Sequence, residues 1–293
     1  MALVASTAAV SVLVPASAAQ AASGPSGITA KGAYLLDSGP NKQLWTKSAD
    51  TRRQMASTTK IMTAVVVLDT RGVNLSKKIT VKQAYRDYVT RNGASTADLR
   101  TGDKLTVRQL LYGLMLPSGC DAAYALADTF GTGSTMKART KSFVSKMNQR
   151  ADALGMSKTD FDSFDGISQS GGNLSTPRDM AKLARHAIMN SNFGTVVKAA
   201  STKQRATNGR TYTWYNTNKL LGSYNGAIGI KTGTGTAAGP CLVFAAKRGS
   251  RTLVGVVLND GNRYTDAKKM LDWAYGTRTA MTLRSLPKSA QQD

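Results

Sequence analysis

Ser57 and Lys60 stand three positions apart in Ser57-Thr-Thr-Lys60. On a helix such residues share a face, with their side chains in reach of each other. The 293-residue chain has a single histidine, His186, and its 17 acidic residues are all aspartate. A Ser-His-Asp triad would have one His to draw on. A glutamate base, a glutamate glycosidase pair or an H-E-x-x-H zinc site cannot be built. Lysine is the obvious remaining base for a serine nucleophile. Residues 61–68 are apolar nearly all round, the mark of a buried helix, so the pair would stand where a lysine is stripped of water. The spacing recurs at Ser134/Lys137, in a glycine-rich stretch, and at Ser285/Lys288, around Pro287. Neither of these opens an apolar helix. The competing reading of Ser57 is an N-cap hydroxyl, although a first-turn lysine opposes the helix dipole.

Two further elements could complete a site. Lys231-Thr-Gly233 follows a short apolar strand at 227–230. It reads either as a strand end turning at glycine or as an edge where a substrate backbone lies against Gly233. In the second case Lys231 and the Thr232 hydroxyl grip a carboxylate. Ser118-Gly-Cys120 joins two helical runs, 110–116 and 121–130. Ser118 with Asp121 three on is also a plausible N-cap. A rival, Ser223-Tyr-Asn225, lies eight residues before Lys231 and belongs to the turn entering that strand.

In this order the three elements resemble the active-site set of the penicillin-recognising SxxK acyltransferases. Within them the chain is similar to the secreted low-molecular-mass penicillin-binding proteins, the D-alanyl-D-alanine carboxypeptidases and transpeptidases. Met115-Leu-Pro-Ser-Gly-Cys-Asp-Ala-Ala123, Asn173-Leu-Ser-Thr-Pro-Arg-Asp-Met180 and Asn216-Thr-Asn-Lys-Leu-Leu221 running into Gly229-Ile-Lys-Thr-Gly233 extend the likeness over roughly residues 28–276. Two positions depart from it. Met55 stands where the family usually has Pro, and Cys120 where its middle motif usually has Asn. One subgroup of secreted DD-transpeptidases shares the Ser-Gly-Cys form.

The resemblance implies a two-lobed α+β fold of the β-lactamase/transpeptidase type with the cleft between the lobes. It implies Ser57, Lys60 and Ser118 as catalytic residues. Lys231, Thr232, Gly233, Thr234 and Cys120 would bind substrate, with the Ser57 and Thr234 amides as the oxyanion hole. The implied substrates are peptidoglycan stem peptides ending in D-Ala-D-Ala, and the implied inhibitors are β-lactams. No metal or organic cofactor is required. A class A β-lactamase activates its deacylating water with a glutamate, which this sequence lacks. A non-catalytic, basic wall-binding protein is the alternative from another class, and the retained serines and lysines argue against it.

Composition bounds these readings. Residues 1–30 carry no charge, and Leu3–Val14 is apolar ahead of the small-x-small sites Ala16-Ser-Ala18 and Ala19-Gln-Ala21. Residues 1–21 therefore read as a secretory signal peptide, and the expected place of the mature protein is extracytoplasmic and wall-associated. No later stretch reaches the roughly 18 apolar residues of a membrane span, so membrane contact is expected to be at most peripheral. The net charge of +22 is spread along the chain, which argues against a nucleic-acid arm and suits an anionic wall. Two cysteines make no disulfide scaffold, and Cys120 and Cys241 read as free thiols. A monomer is expected.

The elements that must position these residues alternate in type. Residues 33–37 and 43–47 flank Ser38-Gly-Pro-Asn, a hairpin signal, and 242–246 and 253–258 flank Arg248-Gly-Ser, a second one. Between them lie helical runs with cap signals: Thr80-x-x-Gln83 and Thr106-x-x-Gln109 as capping boxes, and Thr176-Pro177 as N-cap with Pro at the first helical position. His186 reads as a helix residue within 180–189 and not as a ligand, and 266–275 as a closing helix. The expected fold is one antiparallel sheet made from both chain ends, flanked by helices, with an inserted all-α lobe. The domain would run over 22–285, with the sheet lobe at about 28–75 and 205–285, the α lobe at about 76–204, and a polar tail at 286–293.

Overall fold

Two hairpins from opposite ends of the sequence meet in one sheet. The structure is a computed structural model that describes residues 24–291, so the leader expected at 1–21 lies outside the described residues. In chain order the elements are β1 (Gly32–Asp37), β2 (Lys42–Lys47), β3 (Arg53–Gln54), a 3-10 turn over Ala56–Thr59, α1 (Lys60–Leu68), β4 (Lys78–Thr80) and α2 (Gln83–Asn92). There follow β5 (Lys104–Thr106), α3 (Val107–Met115), α4 (Cys120–Phe130), α5 (Met136–Ala153), β6 (Leu174–Ser175), α6 (Pro177–Met189) and α7 (Ser191–Lys198). The last are β7 (Ser201–Arg205), β8 (Thr211–Tyr215), β9 (Ala227–Gly233), β10 (Cys241–Arg248), β11 (Arg251–Leu258) and α8 (Arg263–Tyr275). The central sheet has the order β2-β1-β11-β10-β9 and is antiparallel throughout, with Gly32 opposite Leu258 and Leu242 opposite Thr232.

Alternation along the strands builds two cores, because successive side chains point to opposite faces. Ala33, Leu35, Leu242, Phe244, Leu253 and Val257 pack under Ala267, Met270 and Leu271 of α8. Tyr34, Leu36, Val243, Ala245, Val254 and Val256 join the larger core on the other face. Phe244 lies opposite Gly255, where a Cβ would stand 2.1 Å from its ring, so this cross-strand pair needs glycine.

The larger core is centred on α1, whose nine residues are all buried, as its uniformly apolar sequence requires. Helices α3, α4, α5, α6 and α7 surround it. Helices α6 and α7 fall in the 76–204 segment expected to form the inserted lobe, and they also pack on the sheet, α6 on β1 and β11 and α7 on β9.

Local signals are met in part. The capping box of Thr106 and Gln109 opens α3, and Thr176 caps α6 with Pro177 inside its first turn. The expected box at Thr80 does not form: Thr80 ends β4, paired with Lys104, and α2 starts after Lys82 without a side-chain cap. Strand pairing there outcompetes a local cap. His186 lies on α6, 2.8 Å from the Asp69 carboxylate that Arg150 also pairs. Among the described residues no helix is long and apolar enough to cross a membrane.

Candidate active site

Ser57 lies in the 3-10 turn before α1, which the chain enters at Ala56 with φ 46°. A 3-10 turn has three residues per turn, so positions i and i+3 eclipse. Lys60 therefore stacks on Ser57, with Nζ 3.0 Å from Oγ. The turn has no side-chain cap bond, so Ser57 is not the N-cap hydroxyl of the competing reading. Lys60 is fully buried and donates a second hydrogen bond, 2.8 Å, to the carbonyl oxygen of Asp165.

The segment carrying Asp165 is held by Asn173. Its amide oxygen accepts from the backbone N–H groups of Asp162 and Ser163, and its Nδ2 donates to Ser163 Oγ at 2.7 Å. At Gly166 a Cβ would stand 2.1 Å from Ala56 O, so this segment lies directly against the turn that carries Ser57. The Asp165 carboxyl is fully buried; Oδ1 accepts from Ile167 N at 3.0 Å and Oδ2 has no hydrogen-bond partner. Burial, and after it the charge of Asp165, pushes the neighbouring Tyr88 phenol well above its ordinary range.

Ser118 has φ 63°, is buried, and its Oγ makes no hydrogen bond. It does not cap α4. Gly119 takes the N-cap position, and Asp121 accepts instead from Thr96 Oγ1, Ala97 N and Leu99 N at 2.8–2.9 Å, fixing the segment before α3. Cys120 opens α4, with Sγ 3.7 Å from Ser95 Oγ. Burial pushes its thiol up to about 12, although nearby Lys60 pulls the other way. Both cysteines are buried and free.

The strand β9 runs along the sheet edge, and its last three residues are Lys231-Thr-Gly233. Lys231 is buried, its Nζ donating to Thr232 O at 3.0 Å. Thr232 Oγ1 lies 2.6 Å from Thr217 Oγ1. Adjacent strand positions face opposite ways, so Lys231 and Gly233 share one face of β9 and Thr232 takes the other. At Gly233 a Cβ would stand 2.9 Å from Ser57 N and 3.0 Å from Thr58 N. Beyond it, Arg263 Nη1 donates to Gly233 O, Thr234 Oγ1 and Cys241 O at 3.1–3.2 Å.

These elements surround a cavity of ≈ 780 Å³ whose lining includes Ser57, Cys120, Gly166, Thr234, Gly235 and Gln291. Lys60, Ser118, Lys231, Thr232 and Gly233 are not part of that lining. Asp165, Ser95, Arg263 and Gln291 carry no local signature in the sequence, and Asn173 is legible there only as the start of a family-like stretch, without a role of its own. Ser134, Ser285 and Ser223 of the rival motifs line no part of the cavity. Among the described residues no three His, Cys, Asp or Glu side chains gather into a metal site.

Comparison with known proteins bears on the whole of this arrangement. The family model described as D-alanyl-D-alanine carboxypeptidase matches residues 18–262. A D-alanyl-D-alanine carboxypeptidase of Streptomyces sp. strain K15 is 54% identical over 256 residues, covering 85% of this chain and 88% of that protein. The crystal structure of the Streptomyces K15 DD-transpeptidase superimposes with a TM-score of 0.83 at 53% identity, over 87% of this chain and 99% of the other. A penicillin-binding protein homologue of Mycobacterium tuberculosis follows at TM-score 0.75 and 29% identity, over 90% of this chain and 96% of the other.

Proposed function

The chain belongs to the D-alanyl-D-alanine carboxypeptidase family of serine peptidases, and on that premise we propose that Ser57 is its nucleophile and Lys60 its base. The observation that carries this reading is the 3.0 Å contact of Lys60 Nζ with Ser57 Oγ at the wall of the cavity. The substrates of the family are peptidoglycan stem peptides ending in D-Ala-D-Ala, and its inhibitors are β-lactams.

Lys60, as neutral amine, takes the Ser57 proton while Oγ attacks the carbonyl carbon between the two D-alanines. The Asp165 carbonyl holds the amine in line with Oγ. The oxyanion settles on the Ser57 and Thr234 amides. The C–N bond then breaks, and the D-alanine amine leaves with a proton relayed through Ser118, whose buried hydroxyl has no competing partner. Water or a second peptide's amine takes the acyl group from Ser57.

The terminal carboxylate meets the positive end of β9. Lys231 supplies charge from beneath, and Thr234, oriented by Arg263, supplies the hydroxyl in the cavity wall. Thr232 fixes the strand through Thr217 and so holds Gly233 and Thr234 in place. Gly233 lets β9 lie flush with the Ser57 turn. Cys120 closes the wall with a neutral, weakly hydrogen-bonding group. The uncharged leader and the +22 net charge support an extracytoplasmic, wall-associated protein.

Incubation with benzylpenicillin tests the site. One drug mass should appear on the intact protein, located to Ser57 by peptide mapping. It should persist, because no glutamate is present to activate water against the ester. An unmodified mass under excess drug refutes the Ser57 assignment, and rapid steady hydrolysis of a chromogenic β-lactam favours a β-lactamase.

A further inference from the structure

The chain after α8 returns to the cleft. Thr277 N donates to Asp272 O at 2.9 Å and Thr279 Oγ1 to Asp272 Oδ1 at 2.6 Å, while Arg248 bonds both threonine hydroxyls at 3.0 Å. Met281 packs on the core under α8. Arg284 then turns inward. Its amide donates to Ser223 Oγ at 2.8 Å and its guanidinium to the carbonyls of Asn216 and Asn218. These two residues flank Thr217, the partner of Thr232.

From this anchor the chain crosses to the helical side. Ser289, Ala290 and Gln291 line a small cavity with Thr96, Pro117 and Trp214. Gln291 Oε1 accepts from Thr96 N at 3.5 Å, and Gln291 also lines the cavity of Ser57 and Cys120. The region matched to the family ends at residue 262, so this segment lies outside it.

We propose that residues 277–291 form a strap across one mouth of the cleft, in which Gln291 is a specificity-determining wall that selects against donor peptides with bulky side branches. The strap is held unevenly. Arg284 is bound to backbone on the sheet side, where displacement would leave buried polar groups unpaired. Among the described residues Gln291 is held by one long hydrogen bond, which can be given up at small cost. The wall therefore filters by size without closing the cleft. A compact donor passes between Gln291 and Thr234, and a branched one has to displace the end of the strap.

This inference rests on the Ser57 reading, and its test separates the two. The unaltered chain is first checked for acylation by benzylpenicillin; its absence refutes the Ser57 reading and the inference with it. The donors are acylated tripeptides ending in Lys-D-Ala-D-Ala, with the lysine amine either capped by acetyl or extended by a bulky peptide branch. The variants are Gln291→Ala, Gln291→Trp and a chain ending after Ser285, which keeps Arg284. The ratio of kcat/KM for the branched donor to that for the compact donor should rise about tenfold in Gln291→Ala and in the shortened chain, the scale of one steric contact in a pocket. It should fall in Gln291→Trp. If the shortened chain fails to fold, the two point variants decide. A ratio unchanged in both overturns the strap as a selectivity element.

Discussion

Gly233 and Ser57 stand back to back: a Cβ on Gly233 would lie 2.9 Å from the Ser57 amide nitrogen. The nucleophile's turn and the edge strand thus approach as closely as two backbones allow. The Ser57 amide is also a proposed oxyanion donor, so displacing it harms chemistry before it harms folding.

Gly233→Ala should cut benzylpenicillin acylation by about a hundredfold, the cost of roughly an ångström of misplacement at a reacting centre. Its far-UV circular dichroism should stay that of the parent. Undiminished acylation would show that the turn moves aside freely.

Ser57→Ala and Lys60→Ala should each leave the protein without a penicillin adduct by intact mass. Ser134→Ala and Ser285→Ala should be labelled like the parent, since neither serine lines the cavity. A surviving adduct in Ser57→Ala places the nucleophile elsewhere.

Cys120 should resist alkylation by iodoacetamide at pH 8 in the folded protein, because its thiol is held up to about 12 by burial, and it should react on unfolding. A raised acid binds its proton more tightly folded than unfolded. Its contribution is therefore complete below about pH 8.5, the unfolded value, and is lost as pH climbs towards 12. Cys120→Asn should flatten that part of the alkaline melting profile. The amide also donates and accepts hydrogen bonds where the thiol does neither well. The hydrolysis-to-transpeptidation ratio on a glycine-type acceptor should then rise more than the acylation rate changes.

Asp272 offers the opposite sign. Burial alone would raise its carboxyl, but hydrogen bonds from Lys268, Thr279 and Tyr224 outweigh burial and hold it at about 2. Its stabilisation is full above about pH 4 and is lost as pH falls through 2. Asp272→Asn should melt below the parent at pH 7, and the gap should shrink towards zero near pH 2. A constant gap across that range would tie the loss to shape instead of charge.

Much of the site follows from local sequence. The apolar run after Lys60 requires a buried helix, and three-residue spacing puts Ser57 and Lys60 together whether the turn is α or 3-10. Alternation and turn residues make the two hairpins, and the order of Ser57, Ser118 and Lys231 is itself written in the chain. Tertiary structure decided the rest, through contacts with no local signal. The Asp165 carbonyl reaches Lys60 across 105 positions, by way of a loop whose shape depends on Asn173. Ser118 takes a left-handed backbone and caps nothing, and Asp121 is spent on the segment before α3. Thr232 bonds Thr217, which reaches it from another part of the chain, and Thr234, one residue past the end of β9, lies in the cavity wall. A polar segment without periodicity reaches the cleft because Arg284 donates to the backbone carbonyls of Asn216 and Asn218 there. Short-range spacing sets which side chains can pair along the chain; which backbone groups lie beside them is set by how the sheet and helices close on each other.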